Sequence, residues 1–359
     1  MAITTIGLKH RPPLLTLLSL ILLYFGSNQQ GLNAQSQGTQ ANPGGPPLPP
    51  YSTVALGPIP FSPAITKPDV SKSGSGLTIV PTFDTNPGTA IDAATQTVIN
   101  NAIAFYENTF TSNIMVHIYF YNMNSGLGQS TFFTFSGSYE AYCTALAANQ
   151  ASPDDATAVA NTPCGANNPV TISSQIVIKS PVGLALGLNT SEQTFPGSPC
   201  PNFTGSGCIG LNVTLANGKG ILLATVEHEV DEVLGLGSAL QGTTTPSDPW
   251  PEDLFRWTSA GTRSFAANSS TAIPCAGGTP AAFFSIDGGA TPLNQFNNCA
   301  NGGDYGDWIT HTPSEVQDAF TNASGSPSLT VTSTEVRALD VIGLNIISSK
   351  HRRGQLISE

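Results

Sequence analysis

Residues 226–238 read VEHEVDEVLGLGS. Together with Ile221, Leu222 and Leu223, the apolar positions Val226, Val230, Val233 and Leu234 give a helix from about Gly220 to Leu234 that is apolar over much of its circumference. Such a helix belongs in a core. Gly235 should end it, its freedom at positive φ suiting a helix C-terminus. Yet Glu227, Glu229, Asp231 and Glu232 place four carboxylates within six residues, with no Lys or Arg on the helix after Lys219. A solvated acidic helix would carry bases at i+4 to offset the repulsion, and a bound divalent cation is another way to relieve it. Residues four apart share a helix face, so His228 and Glu232 can hold one ion between them. Glu229, one residue round, can then reach a water on that ion and act as general base. The competing reading is an acidic amphipathic helix that carries a stray histidine.

The N-terminus argues for export. Lys9, His10 and Arg11 precede an apolar run at 13–25 and a polar stretch ending Leu32-Asn33-Ala34, which is the layout of a signal peptide over 1–34. The run is short for a stable bilayer span, the alternative being an N-terminal anchor. Removing 1–34 takes away two basic residues and no acid, moving the net charge from −11 to −13. That argues against nucleic acid and anionic membranes as partners, and with the signal layout the chain reads as a secreted (extracellular or periplasmic) monomer. Six cysteines in an exported chain suggest three disulfides. They fall into local pairs, so nearest-neighbour pairing gives 143–164, 200–208 and 275–299.

Residues 35–73, with NPGGPPLPPY at 42–51, are Pro-, Gly- and Ser-rich and read as a linker or pro-segment. A folded domain is expected over 74–346, followed by a basic tail at 347–359. Within the domain, LTIVPTF (77–83) and the alternating IMVHIYFY (114–121) predict strands, SQIVIK (174–179) an edge strand, and FFSIDGG (283–289) a further strand. Helical spacing marks 89–109, 139–148 and 333–342, and SDPWPEDLF (247–255) has the start of a short helix.

The central stretch resembles the metzincin helix H-E-x-x-H-x-x-G-x-x-H, with Glu232 in place of the second histidine and Ser238 in place of the third. It is more similar to a family of secreted bacterial metalloproteases with an H-E-x-x-E motif. PTFD (81–84), DLFRW (253–257), FSIDGG (284–289), GGDYGDW (302–308) and ALDVIGL (338–344) are similar to that family's recurring phrases. The resemblance spans most of 77–346. It implies an α+β, zincin-like two-lobed catalytic domain with a mixed sheet and a central active-site helix. It also implies a zinc-dependent endopeptidase that acts on polypeptide substrates.

Two departures stand out. Ser238 is a poor zinc ligand, and no methionine follows the helix, the three being Met1, Met115 and Met123. The third ligand must therefore come from elsewhere. Asp253 is the first candidate and Glu252 the second, both about twenty residues past Glu232 as in some zincins; Asp248 is a third choice. The ordinary role for either of the first two is capping or pairing with Arg256. His117 reads as packed or surface, and His311 and Tyr305 as possible aids to carbonyl polarisation or as packed residues. Asp287, Asp304 and Asp307 sit among glycines and read as turn formers, with a Ca²⁺ site the lesser alternative.

The expected metal set is thus His228, Glu232 and Asp253 with Zn²⁺, and Glu229 is the catalytic base. One imidazole and two carboxylates neutralise the ion, which favours competition by Mn²⁺ and an alkaline activity profile. The substrate would pair with the 176–179 strand. The alternative function is an exported binding or structural domain that keeps a zincin fold but has lost metal and activity.

Overall fold

A computed structural model describes residues 51–62, 76–240, 246–273, 275, 281–321 and 326–346. The alternating stretch forms β3 (Met115–Asn122), with Val116, Ile118 and Phe120 buried and Met115 exposed. LTIVPTF forms β2 (Thr78–Phe83), parallel to β3, and α1 (Ala93–Thr109) makes the crossover between them. Asp92 caps α1 by accepting from the Thr95 N–H.

Two strands without a clear alternating pattern complete the sheet. They are β4 (Gly128–Ser138) and β8 (Gly207–Leu211), the latter lying between β3 (parallel) and β4 (antiparallel). Their small and hydroxyl residues carry little pattern, but all five positions of β8 are buried. β5 (Gln175–Lys179) pairs antiparallel with the second half of β4, at the sheet edge expected for it.

One expectation fails. Residues 35–73 are not all linker, because β1 (Ser52–Pro60) joins the sheet parallel to β4. Tyr51 and Phe61, at its two ends, are 3% and 8% exposed, whereas the strand between them is half-buried or exposed. An edge strand is held by backbone pairing and two aromatic anchors, so its composition need not be apolar. The sheet order is β1-β4-β8-β3-β2, with β5 also on β4. The expected signal peptide at 1–34 and basic tail at 347–359 lie outside the described residues.

Helices α2 (Tyr139–Ala148), α3 (Pro153–Ala160), α4 (Ser180–Ala185) and α5 (Val213–Lys219) lead to the motif helix, α6 (Leu222–Leu234). A two-stranded ribbon, β6 (Gln193–Thr194) with β7 (Thr204–Gly205), intervenes. α6 packs against β4 and α1, and only Leu223 of its thirteen residues is not buried. Gly235 ends it at φ 163°, which is extended backbone and not the left-handed region. The glycine is needed there for space, because a Cβ would lie 2.7 Å from Val182 and 2.8 Å from Ile342.

A 3-10 turn at Pro251–Phe255 follows, then a small sheet of β9 (Arg256–Ser259), β10 (Thr262–Arg263), β11 (Phe283–Phe284) and β12 (Asn294–Gln295). The strand expected over 283–289 is thus only two residues long. α7 (Thr334–Ile342) closes the domain. The class is α+β with a mixed sheet. The three disulfides pair as the nearest-neighbour rule predicts, with Cα–Cα separations of 5.5, 6.3 and 5.5 Å. Among the described residues no helix is long and apolar enough to cross a membrane.

Candidate metal centre

α6 presents His228, Glu229 and Glu232 towards β4, and one donor atom from each lies within 4.8 Å of the others. All three are at most 1% exposed. Burial holds the His228 imidazolium down at about pKa 3, so the ring is neutral. Its Nδ1 lies 2.9 Å from the Val316 carbonyl. Donation there fixes the tautomer and leaves Nε2 as an acceptor, which the Gln317 amide approaches only at a long 3.5 Å; a fixed tautomer of this kind is typical of a ligating histidine. Nε2 faces Glu232 Oε1 at 3.7 Å and Asp307 Oδ2 at 3.8 Å.

Asp307 therefore stands where the third ligand was sought, although in sequence it reads as a turn former. Its loop, 302–308, reaches the site by a backbone approach so close that a Cβ on Gly306 would lie 2.6 Å from the Gly237 carbonyl carbon. Arg256 tethers the same loop by donating to the Tyr305 carbonyl at 2.6 Å, with its guanidinium over the Phe296 ring. Asp304 joins Glu232 and Asp307 as a third carboxylate within 4.8 Å, and its Oδ2 accepts from the Thr53 hydroxyl.

The carboxylates are under-satisfied. Neither oxygen of Glu229 accepts from an N–H or O–H donor, nor does Oδ2 of Asp307. Burial, followed by repulsion from Glu232, raises Glu229 well above the carboxylate range. Burial, followed by repulsion from Asp304, raises Asp307 well above that range too and lifts Glu232 to about 8. Buried carboxylates without partners cost several kcal/mol each unless they hold a proton or a cation.

The nearest base is Lys179, itself 2% exposed. Its ammonium donates to the Glu232 and Leu236 carbonyls at the end of α6 and sits 3.7 Å over the Phe132 ring. It caps the helix and leaves the carboxylate cluster short of positive charge. Donors on a tetrahedral zinc at about 2.0–2.1 Å lie roughly 3.3 Å apart. The 3.7 and 3.8 Å spacings around His228 Nε2 are a few tenths of an ångström wider, so the imidazole is placed to share a small divalent cation with either carboxylate.

The other candidates lie elsewhere or are spoken for. Asp253 does not join the group: it accepts from the Ser238 hydroxyl at 2.5 Å and from the Ala239 and Trp250 N–H groups, both at 2.9 Å. It is a buried cap for the turn after α6, which also accounts for Ser238. Glu252 accepts from the Gly237 N–H, and Asp248 from the Ser173 hydroxyl. His117 pairs with Glu192 at 2.7 Å. His311 pairs with Asp318 at 2.6 Å, Tyr305 is buried, and Asp287 holds its own turn through Ser285 and Thr291.

One further residue was invisible in sequence. The Tyr51 ring stacks on His228 with centroids 3.8 Å apart and planes 17° from parallel. Gly128 is a second constraint, for a Cβ there would lie 2.8 Å from the Glu229 carboxylate carbon.

Comparisons with protein-family models, with curated proteins and with solved structures gave no match. The resemblance to the H-E-x-x-E metalloproteases therefore rests on the quoted motifs, and the chemistry on the geometry above.

Proposed function

We propose that the protein is an exported, metal-dependent endopeptidase of zincin-like design, with His228, Glu232 and Asp307 as the cation ligands and Glu229 as general base. The observation that carries this is the convergence of a neutral, tautomer-fixed imidazole with two carboxylates, beside a buried glutamate that has no donor. A divalent cation held there would supply Lewis acidity, polarising a scissile carbonyl and acidifying a water. The chain's own residues do the rest. Val316 holds the His228 ring and the Ser130 hydroxyl donates to Glu232 at 2.5 Å. Gln317 donates to Asp307 Oδ1 at 2.9 Å, and the buried surroundings exclude bulk water. With a cation's charge beside it to keep it ionised, Glu229 would take the proton from the attacking water and deliver it to the departing amine.

Zn²⁺ is the preferred ion. Two carboxylates against one imidazole neutralise its charge, which allows Mn²⁺ to compete and moves the activity profile to alkaline pH. Three disulfides in a net acidic chain support an oxidising, extracytoplasmic location.

The test is elemental analysis of the purified protein beside Glu232→Ala and Glu229→Gln. About one equivalent of metal that is lost in Glu232→Ala, with Glu229→Gln metal-loaded yet inactive on an unstructured peptide, is the expected result. No metal in any form, even after reconstitution, would overturn the peptidase reading in favour of an exported binding domain.

A further inference from the structure

β4 is the strand that passes over the site. Ser130 on it donates to Glu232, and Gly128 on it abuts Glu229. One of its edges is used by β8 over Gly128–Phe132 and by β5 over Thr134–Ser138. Among the described residues, the other edge is covered from Gln129 to Ser136 by β1 alone. β1 is therefore the one element between this edge and a further chain.

As a permanent strand β1 is poorly built. Its pairing register breaks between Leu56 and Ile59, and Pro58 and Pro60 have no N–H to give to a ladder. Its middle residues Ala55, Gly57 and Pro58 are exposed. Besides the backbone ladder and the half-buried Leu56 and Ile59, two end contacts anchor it. Phe61 lies over Gly137, where a Cβ would meet its ring at 2.7 Å. At the other end Tyr51 stacks on His228 and Thr53 bonds Asp304. What β1 presents to His228 is thus an aromatic ring and not a peptide bond.

We propose that residues 51–61 are a built-in occupant of the substrate groove. β1 takes the place of an extended polypeptide on the β4 edge, and Tyr51 closes the cation site, so the chain is latent until this strand is displaced. The edge this exposes, 129–136, is the peptide-docking strand, in place of the 176–179 strand expected from sequence. That a substrate peptide replaces β1 rests on the peptidase reading, whereas displacement of the strand does not.

The test uses the full chain with the recognition site of a specific protease inserted between Ser62 and Gly76. After cutting, only non-covalent contacts retain the N-terminal fragment. The fragment is expected to leave on dilution while the rest keeps its circular dichroism. A fluorescein-labelled copy of residues 51–61 should then rebind, and an unstructured casein peptide should compete with it. In the uncut chain, Tyr51→Ala combined with Thr53→Ala should speed amide exchange over 129–136 by at least about tenfold, and should speed chelator access to any bound metal. A fragment that leaves only when the whole domain unfolds, or unchanged exchange in the double variant, would overturn the proposal. Elemental analysis of the same samples separates the two ideas. Strand release without metal in any sample refutes the cation reading alone, and bound metal with an immovable strand refutes the latency alone.

Discussion

Gly128→Ala offers the sharpest test of the base. The added methyl would lie 2.1 Å from Glu229 Oε1, 2.8 Å from its Cδ and 2.9 Å from its Cγ, whereas C···O contacts settle at about 3.3–3.6 Å and carbon contacts at about 3.5–4.0 Å. Gly128 is on the sheet's central side, paired with Leu211 of β8, so the strand cannot readily withdraw. The Oε1 contact is the tightest, so Glu229 must give way by roughly 1.2–1.5 Å. A misplacement of that size at a reacting group costs on the order of 10²-fold in rate, or about 2.7 kcal/mol of transition-state stabilisation. Overpacking should also cost about 1–3 kcal/mol of stability. The three atoms nearest the methyl all belong to Glu229, so metal content should stay at the wild-type value. The assay is kcat/KM on a quenched fluorescent peptide, with metal measured on the same preparation. Gly128→Ala in a Glu229→Gln background should add almost nothing, because both changes remove one function. A folded, metal-loaded Gly128→Ala protein within about threefold of wild type would refute the assignment of Glu229 as the positioned base.

Other perturbations separate ligands from scaffold. Asp307→Asn should reduce metal affinity at least about tenfold in equilibrium dialysis, whereas Asp253→Asn should lower Tm but leave metal content unchanged, since Asp253 accepts from Ser238, Ala239 and Trp250. The reverse pattern would restore Asp253 as the ligand. Lys179→Met should destabilise by about 3 kcal/mol in urea, since it strands two buried carbonyls at the end of α6. Asp340, buried where α7 meets Ser152, is raised to about 7 by burial, with Asp155 adding to it. The folded state therefore holds its proton more tightly than the unfolded chain, so this contribution is complete below about pH 4 and is lost as pH rises through about 7. Asp340→Asn should flatten the fall in stability across that window by up to about 4 kcal/mol, and parallel urea curves for the two proteins at pH 4 and pH 8 would refute it.

Local patterns decided much of this molecule. The 3.6-residue spacing at 93–109, 139–148 and 222–234 and the alternation at 115–121 are properties of neighbouring residues, so helices and strands form there as read. The grouping of His228, Glu229 and Glu232 follows from helix geometry alone, and local cysteine spacing was enough for all three disulfides. What local pattern could not carry is set by contacts between distant segments. β4 and β8 are strands because they are sandwiched between others, although small and polar residues interrupt their apolar ones. Asp253 and Asp307 are both acids in short polar loops. One is consumed by its own turn, and the other is carried to His228 only because Gly306 lets its loop press against Gly237. Tyr51 lies 177 residues before His228 in a stretch whose composition reads as linker, yet it is stacked on that imidazole. Its place there comes from backbone pairing along β4, which depends on a free strand edge and not on the side chains that a sequence displays.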